Sequence, residues 1–283
     1  MIPKFSIPEK DRVLKMSHVS CLILVCVFVL FRHAMANDSE LSDSETRPAI
    51  TDTITLFGKG LSLHKQTYLM PLSWGNRASK LEDAELKFQL SLKQRIFQTN
   101  FYVAYTQKSF WRVLDDDDSR PFRETNYNPE FFYRLLPKNN PLGKWWGGNI
   151  GYEHESNGSK EPTSRSWDRL YVSPFFEYKR FRADLKIWYK IDEGEEDDNP
   201  DIQDYYGYAQ LKLAYEWPDN HMLSMISRFN PEKKRGGCQF DYSLPSPSQN
   251  IFFFAQLWTG YGESLIDYNN YITSFGFGVM FKR

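Results

Sequence analysis

A histidine and a serine stand two positions apart in Gly151-Tyr152-Glu153-His154-Glu155-Ser156-Asn157-Gly158, and a carboxylate follows in Ser164-Arg165-Ser166-Trp167-Asp168-Arg169. A serine hydroxyl is a poor nucleophile until a base takes its proton. Histidine does this best when a third group fixes its tautomer and stabilises the imidazolium. His154, Ser156 and Asp168 are therefore candidates for base, nucleophile and orienting group in acyl transfer. Taken singly, His154 is equally readable as an interfacial polar residue and Asp168 as a loop cap. No Gly-x-Ser-x-Gly elbow and no metalloprotease helix motif competes elsewhere.

These side chains converge only if strands carry them. Ala84 to Lys93 alternates Ala84, Leu86, Phe88, Leu90 and Leu92 with Glu85, Lys87, Gln89, Ser91 and Lys93; Arg182 to Ile191 repeats the arrangement. The last segment sets Phe275, Phe277, Val279 and Phe281 against Ser274, Gly276, Gly278 and Met280. The runs are about ten residues long, the length of a tilted membrane strand, whereas a sandwich strand is roughly 5–6 residues. Such segments fall near 67–74, 83–95, 100–113, 125–136, 146–156, 166–180, 182–193, 204–215, 220–229, 236–243, 250–260 and 270–282. The pattern predicts an all-β fold, a twelve-stranded antiparallel transmembrane β-barrel over residues 66–283. Connections alternate between short and long, placing the loop after Ser156 outside. His154 and Ser156 share a face with Ile150 and Tyr152, and Asp168 shares one with Leu170 and Val172. The three groups thus face lipid near a strand end, where a substrate already resident in the outer leaflet would meet them.

Composition agrees. Aromatics make up 17% of 283 residues, with 17 Tyr and 8 Trp, as interfacial girdles require. A net charge of -1 without a basic stripe excludes a nucleic-acid partner. Lys4, Lys10, Arg12 and Lys15 precede an apolar run from Val19 to Phe31 and then Ala34-Met35-Ala36, the order of a secretory leader. Residues 1–36 are expected to be a cleaved signal peptide, since the run falls short of the roughly 20 residues a spanning helix needs. Its removal takes Cys21 and Cys26 and leaves Cys238, so no internal disulfide forms. Residues 37–65 read as a polar lead-in.

The stretch His154–Arg169 resembles the active-site hairpin of the outer-membrane phospholipase A family, whose pattern is His-x-Ser-Asn-Gly followed by Pro-Thr-Ser-Arg-Ser-Trp-Asn-Arg. The matches are His154, Ser156, Asn157, Gly158, Pro162–Trp167 and Arg169. Family-like blocks also occur at Tyr105–Ser109, Pro121–Tyr127, Asp197–Ile202 and Gly260–Asn269, and the resemblance spans roughly Ala84 to Phe281, nearly the whole exported chain. The resemblance implies a calcium-dependent hydrolase of acyl esters in phospholipids and lysophospholipids (a phospholipase A1 and A2), active as a homodimer in the bacterial outer membrane. His154 becomes the general base and Ser156 the nucleophile, with Asp168 standing where the family has Asn and adding a negative charge. Ca²⁺ would be held by Ser159, through its backbone carbonyl, and Ser164 of one chain with the partner's Ser119. Asp198 matches a further calcium position of the monomer. Ser159 replaces a family Arg.

Parity also turns Gln107 towards lipid, beside Tyr105 and Val103. An amide there needs a partner: a matching Gln across a dimer, as in the family, or the headgroup layer. The alternative function is a non-enzymatic channel or structural barrel, its lumen lined by Glu85, Lys87, Lys93, Arg182, Asp184 and Lys186. About twelve strands make a barrel narrow enough for such charges to interlock instead.

Overall fold

In the computed structural model the described residues are 55–57, 60–76, 78, 80–136, 145–192, 194, 197–248 and 250–282. The proposed leader 1–36 lies outside them. Twelve long strands account for most of the described residues: β3 Thr67–Gly75, β4 Glu85–Arg95, β5 Phe101–Trp111, β6 Phe122–Leu135, β7 Trp146–Ser156, β8 Ser166–Tyr178, β9 Phe181–Lys190, β10 Ala209–Glu216, β11 Met222–Asn230, β12 Arg235–Pro245, β13 Phe252–Tyr261 and β14 Tyr271–Lys282. Each pairs antiparallel with its sequence neighbours, and β14 returns to β3, with Phe275 opposite Trp74 and Phe277 opposite Leu72. The sheet is thereby a closed twelve-stranded antiparallel barrel without free edges.

Two short strands precede it, inside the segment expected to be a polar lead-in: β1 Thr55–Phe57 and β2 Leu61–Leu63. β2 continues the β3 side of β4, with Leu61 opposite Gln94 and Leu63 opposite Leu92. The break between β2 and β3 carries three polar side chains into the lumen. His64 stacks on Phe132 at 5.3 Å, Lys65 pairs with Glu130, and Gln66 donates to Ser224 Oγ at 3.3 Å.

Alternation decides the two faces. On β5, Phe101, Val103 and Tyr105 are exposed while Tyr102, Ala104 and Thr106 are buried; on β14 Phe275, Phe277 and Phe281 point out. The outside is thus an apolar and aromatic wall suited to lipid. The inside is polar and filled. Lys186 reaches Glu153 at 2.6 Å, Arg169 reaches Glu153 at 2.8 Å and Glu155 at 2.9 Å, and Tyr171 donates to Glu130 at 3.2 Å. A cavity of about 310 Å³ remains among these groups. The charges interlock across the lumen, which is the opposite of what a wide channel requires.

One end is closed by a feature the period-2 reading missed. Residues 204–206, expected to open a strand, belong instead to a turn of helix, α1 Ile202–Tyr206, and β10 begins only at Ala209. Ile202 and Tyr206, four apart and so on one helical face, pack with Trp167, Trp188, Leu265 and Tyr268 into a buried cluster over the lumen. No helix among the described residues is long and apolar enough to cross a membrane.

Candidate active site

The β7–β8 hairpin sets Tyr152 opposite Leu170, His154 opposite Asp168 and Ser156 opposite Ser166. Ile150 is 59% and Leu170 52% exposed, and Glu153 on the alternate face is buried, so the candidate groups lie on the outer wall. His154 Nδ1 stands 2.9 Å from Asp168 Oδ1. The tautomer with its proton on Nδ1 donates to the carboxylate and leaves Nε2 free to act as a base. Ser156 lies on the same face two residues on, about 6.6 Å along the strand at a rise of roughly 3.3 Å per residue. Among the described residues no hydrogen bond joins its hydroxyl to the imidazole; a triad's serine contact is often long before substrate arrives.

The strand under His154 is held in an unusual way. β6 pairs with β7 through Tyr127 opposite Ser156 and Glu130 opposite Glu153, which puts Pro129 across from His154. Proline has no N–H to give. Instead the Asn128 side-chain amide donates to the His154 carbonyl at 2.7 Å, and Lys65 donates to Asn128 Oδ1 at 2.5 Å.

The loop after Ser156 is tied at its base by Asn157. Its backbone N–H donates to the Arg165 carbonyl and its Nδ2 to the Thr163 carbonyl, both at 2.9 Å. Its Oδ1 accepts the backbone N–H groups of Ser159 at 3.2 Å and Arg165 at 3.0 Å. Gly158 turns the chain with φ +65°, and the ring of Tyr127 stands 3.2 Å from where a Cβ would sit. Any larger residue would both strain the turn and press on that ring.

Of the four expected calcium positions, the structure brings two together. Ser164 Oγ donates to Asp198 Oδ2 at 2.6 Å, and Ser166 Oγ to the same oxygen at 3.4 Å. Glu161, missed in the sequence, joins them: its carboxyl is pushed up, first by a hydrogen bond to Asp198 and then by weaker solvation and the charge of Asp198. Its place before Pro162-Thr163-Ser164 was the available signal. Ser159 lies on the Asn157-tied loop. Ser119, at φ 56°, sits on the β5–β6 loop, beyond the Tyr127–Ser156 row, and no hydrogen bond among the described residues links it to the other three. Nor are three His, Cys, Asp or Glu side chains placed to hold a metal ion among the described residues. The set is two carboxyls plus hydroxyl and carbonyl oxygens, donors suited to a hard cation.

Gln107 faces outward in the row Leu90, Gln107, Tyr127, Ser156. Its amide is paired within its own strand, accepting from Tyr105 at 3.3 Å and donating to Ser109 at 3.2 Å. Satisfying it does not require a second chain.

Known proteins share both sequence and architecture with this chain. The family model of Phospholipase A1 matches residues 56–281. Phospholipase A1 of Escherichia coli K12 is 40% identical over 215 residues, 73% of this chain and 72% of the relative; that of Salmonella typhimurium is 39% identical over 216 residues, 74% and 72%. The outer membrane phospholipase A structure from Escherichia coli superposes with a TM-score of 0.71 at 34% identity, covering 78% of this chain and 98% of that one. The Salmonella typhi outer membrane phospholipase, solved as a dimer with bound calcium, superposes with a TM-score of 0.71 at 35% identity, covering 80% and 93%. With the match running from β1 into β14 and the closed barrel reproduced, this chain belongs to the phospholipase A1 family.

Proposed function

We propose that this chain is a calcium-dependent outer-membrane phospholipase that cleaves acyl esters of phospholipids and lysophospholipids by an acyl-enzyme route. The observation that carries the reading is the His154–Asp168 hydrogen bond on the lipid-facing wall beside Ser156. In the first half-reaction His154 Nε2 takes the Ser156 proton as Oγ attacks the ester carbonyl. Asp168 stabilises the imidazolium, which then protonates the departing alkoxide of the lysolipid. In the second, His154 deprotonates water as it attacks the acyl-serine carbonyl, and the imidazolium then returns the proton to Ser156 Oγ as the acyl–oxygen bond breaks and the fatty acid leaves. The outward placement gives this machinery direct access to a lipid that never leaves the bilayer.

Ser164 and the Ser159 carbonyl, with the partner's Ser119, would hold Ca²⁺, and Glu161 with Asp198 would hold a second ion. Bound Ca²⁺ supplies positive charge that polarises the ester oxygen as it becomes an oxyanion. Two copies joined through the outward face beside Ser156 would complete the first of these sites and wall in the acyl chains. The calcium-bound dimer of the Salmonella typhi relative supports that arrangement. Residues 1–36 serve as the export signal, removed after Ala36, and N-terminal sequencing of the membrane-inserted protein reads this directly.

The test is phospholipid hydrolysis by refolded protein with and without Ca²⁺, beside Ser156→Ala. Activity should require Ca²⁺, disappear on chelation and return on its re-addition, with Ser156→Ala inactive and refractory to sulfonyl fluoride labelling. Full activity in Ser156→Ala would sink the assignment of the nucleophile.

A further inference from the structure

Asp168 Oδ1 accepts two hydrogen bonds, one from His154 Nδ1 at 2.9 Å and one from the Tyr152 hydroxyl at 2.6 Å. Strand geometry explains both. His154 is directly opposite Asp168, whereas Tyr152 is opposite Leu170, so its long side chain crosses the diagonal to the next outward position. The surroundings on this wall are apolar: Ile150, Leu170 and Val172 are all exposed to the lipid side. Among the described residues no Lys or Arg forms an ion pair with Asp168; its ion-pair partner is His154. A carboxylate in such a place is unfavourable unless donors hold it.

We propose that Tyr152 is a positioning residue for the reaction, its hydroxyl fixing the Asp168 carboxylate and sharing its charge so that Asp serves beside His154. The proposal rests on the Ser156–His154–Asp168 reading. The Tyr152 hydroxyl touches neither ester nor nucleophile in this scheme; it acts through Asp168 alone. Its contribution therefore falls on turnover rather than on substrate binding, and it depends on the charge at position 168.

The test is steady-state hydrolysis of a phospholipid in mixed micelles by the refolded full barrel, comparing wild type, Tyr152→Phe, Asp168→Asn and the double variant. Folding is checked by the heat-dependent electrophoretic mobility of the barrel. Tyr152→Phe should lower kcat about tenfold with KM within about twofold, the size expected for one hydrogen bond to a charged group. In the Asp168→Asn background, where no charge needs sharing, the same change should cost about twofold. An unchanged kcat in Tyr152→Phe overturns the proposal. So does an equal loss in both backgrounds, or a raised KM at constant kcat. Ser156→Ala separates the two claims: if it stays active the underlying reading fails, and if it is inactive while Tyr152→Phe equals wild type only the role of Tyr152 fails.

Discussion

Tyr152, His154 and Asp168 on the outer wall alternate along β7 and β8 with Glu153, Glu155 and Arg169 on the inner one, yet the two sets are built differently. Inside, charge meets charge: Arg169 bridges Glu153 and Glu155, Lys186 adds to Glu153, and Lys65 to Glu130. Outside, two donors share a single carboxylate oxygen, and the side chains around them are Ile150, Leu170 and Val172. The inner set is paired charge to charge inside the barrel, away from the lipid-facing wall. The outer set places His154 and Ser156 on the lipid-facing wall, where the proposed reaction needs them. Burial with mutual pairing makes scaffold, and exposure with partial pairing is what the proposed chemistry requires.

The division is sharpened most by Ser156→Ala, which should lower turnover by about 10⁴-fold or more while leaving the urea midpoint of the folded barrel unmoved. Next comes Glu130→Ala on the inner wall. It leaves Lys65 and Lys186 to share Glu153 alone and removes the acceptor of Tyr171. A loss of about 1–3 kcal/mol in denaturant-dependent unfolding is expected, with kcat changed only a few-fold when the protein is assayed folded. Loss of activity at unchanged stability would break the division. A smaller effect should follow Asp168→Asn, which installs the amide of the related hairpins: kcat within about tenfold of wild type, and stability within about 1 kcal/mol as for a partly exposed isostere. Smallest of all, the wild-type barrel in a planar bilayer should give no large steady current, because the lumen charges interlock; a stable open conductance would show that the inner wall does more than brace.

Much of this was readable from residue order because alternation is a local signal. Arg182 to Ile191 reads as a strand from its own pattern, and β9 runs Phe181–Lys190. The same parity placed His154 and Asp168 on one face, and the register sets them directly opposite. What escaped depended on contacts that alternation does not report. α1 is one turn long, and its Ile202 and Tyr206 are buried by Trp167 and Leu265 from other loops and strands. β1 and β2 are three residues each and hidden in polar sequence. Glu161 is an ordinary loop acid until Asp198, on another loop, is brought against it. Gln107 reads as needing an external partner because alternation says which wall a side chain occupies, not that Tyr105 and Ser109 above and below will reach it.

Pro129 has one more consequence. Opposite His154 a rung of the β6–β7 ladder is replaced by a strut, the Asn128 amide on the His154 carbonyl, anchored in turn by Lys65. A backbone rung is stiff because both its ends are main chain; a side-chain strut has rotatable bonds and yields. The candidate base is thus mounted on the compliant point of an otherwise rigid wall, with a suspension whose far end is fixed to the N-terminal segment inside the barrel.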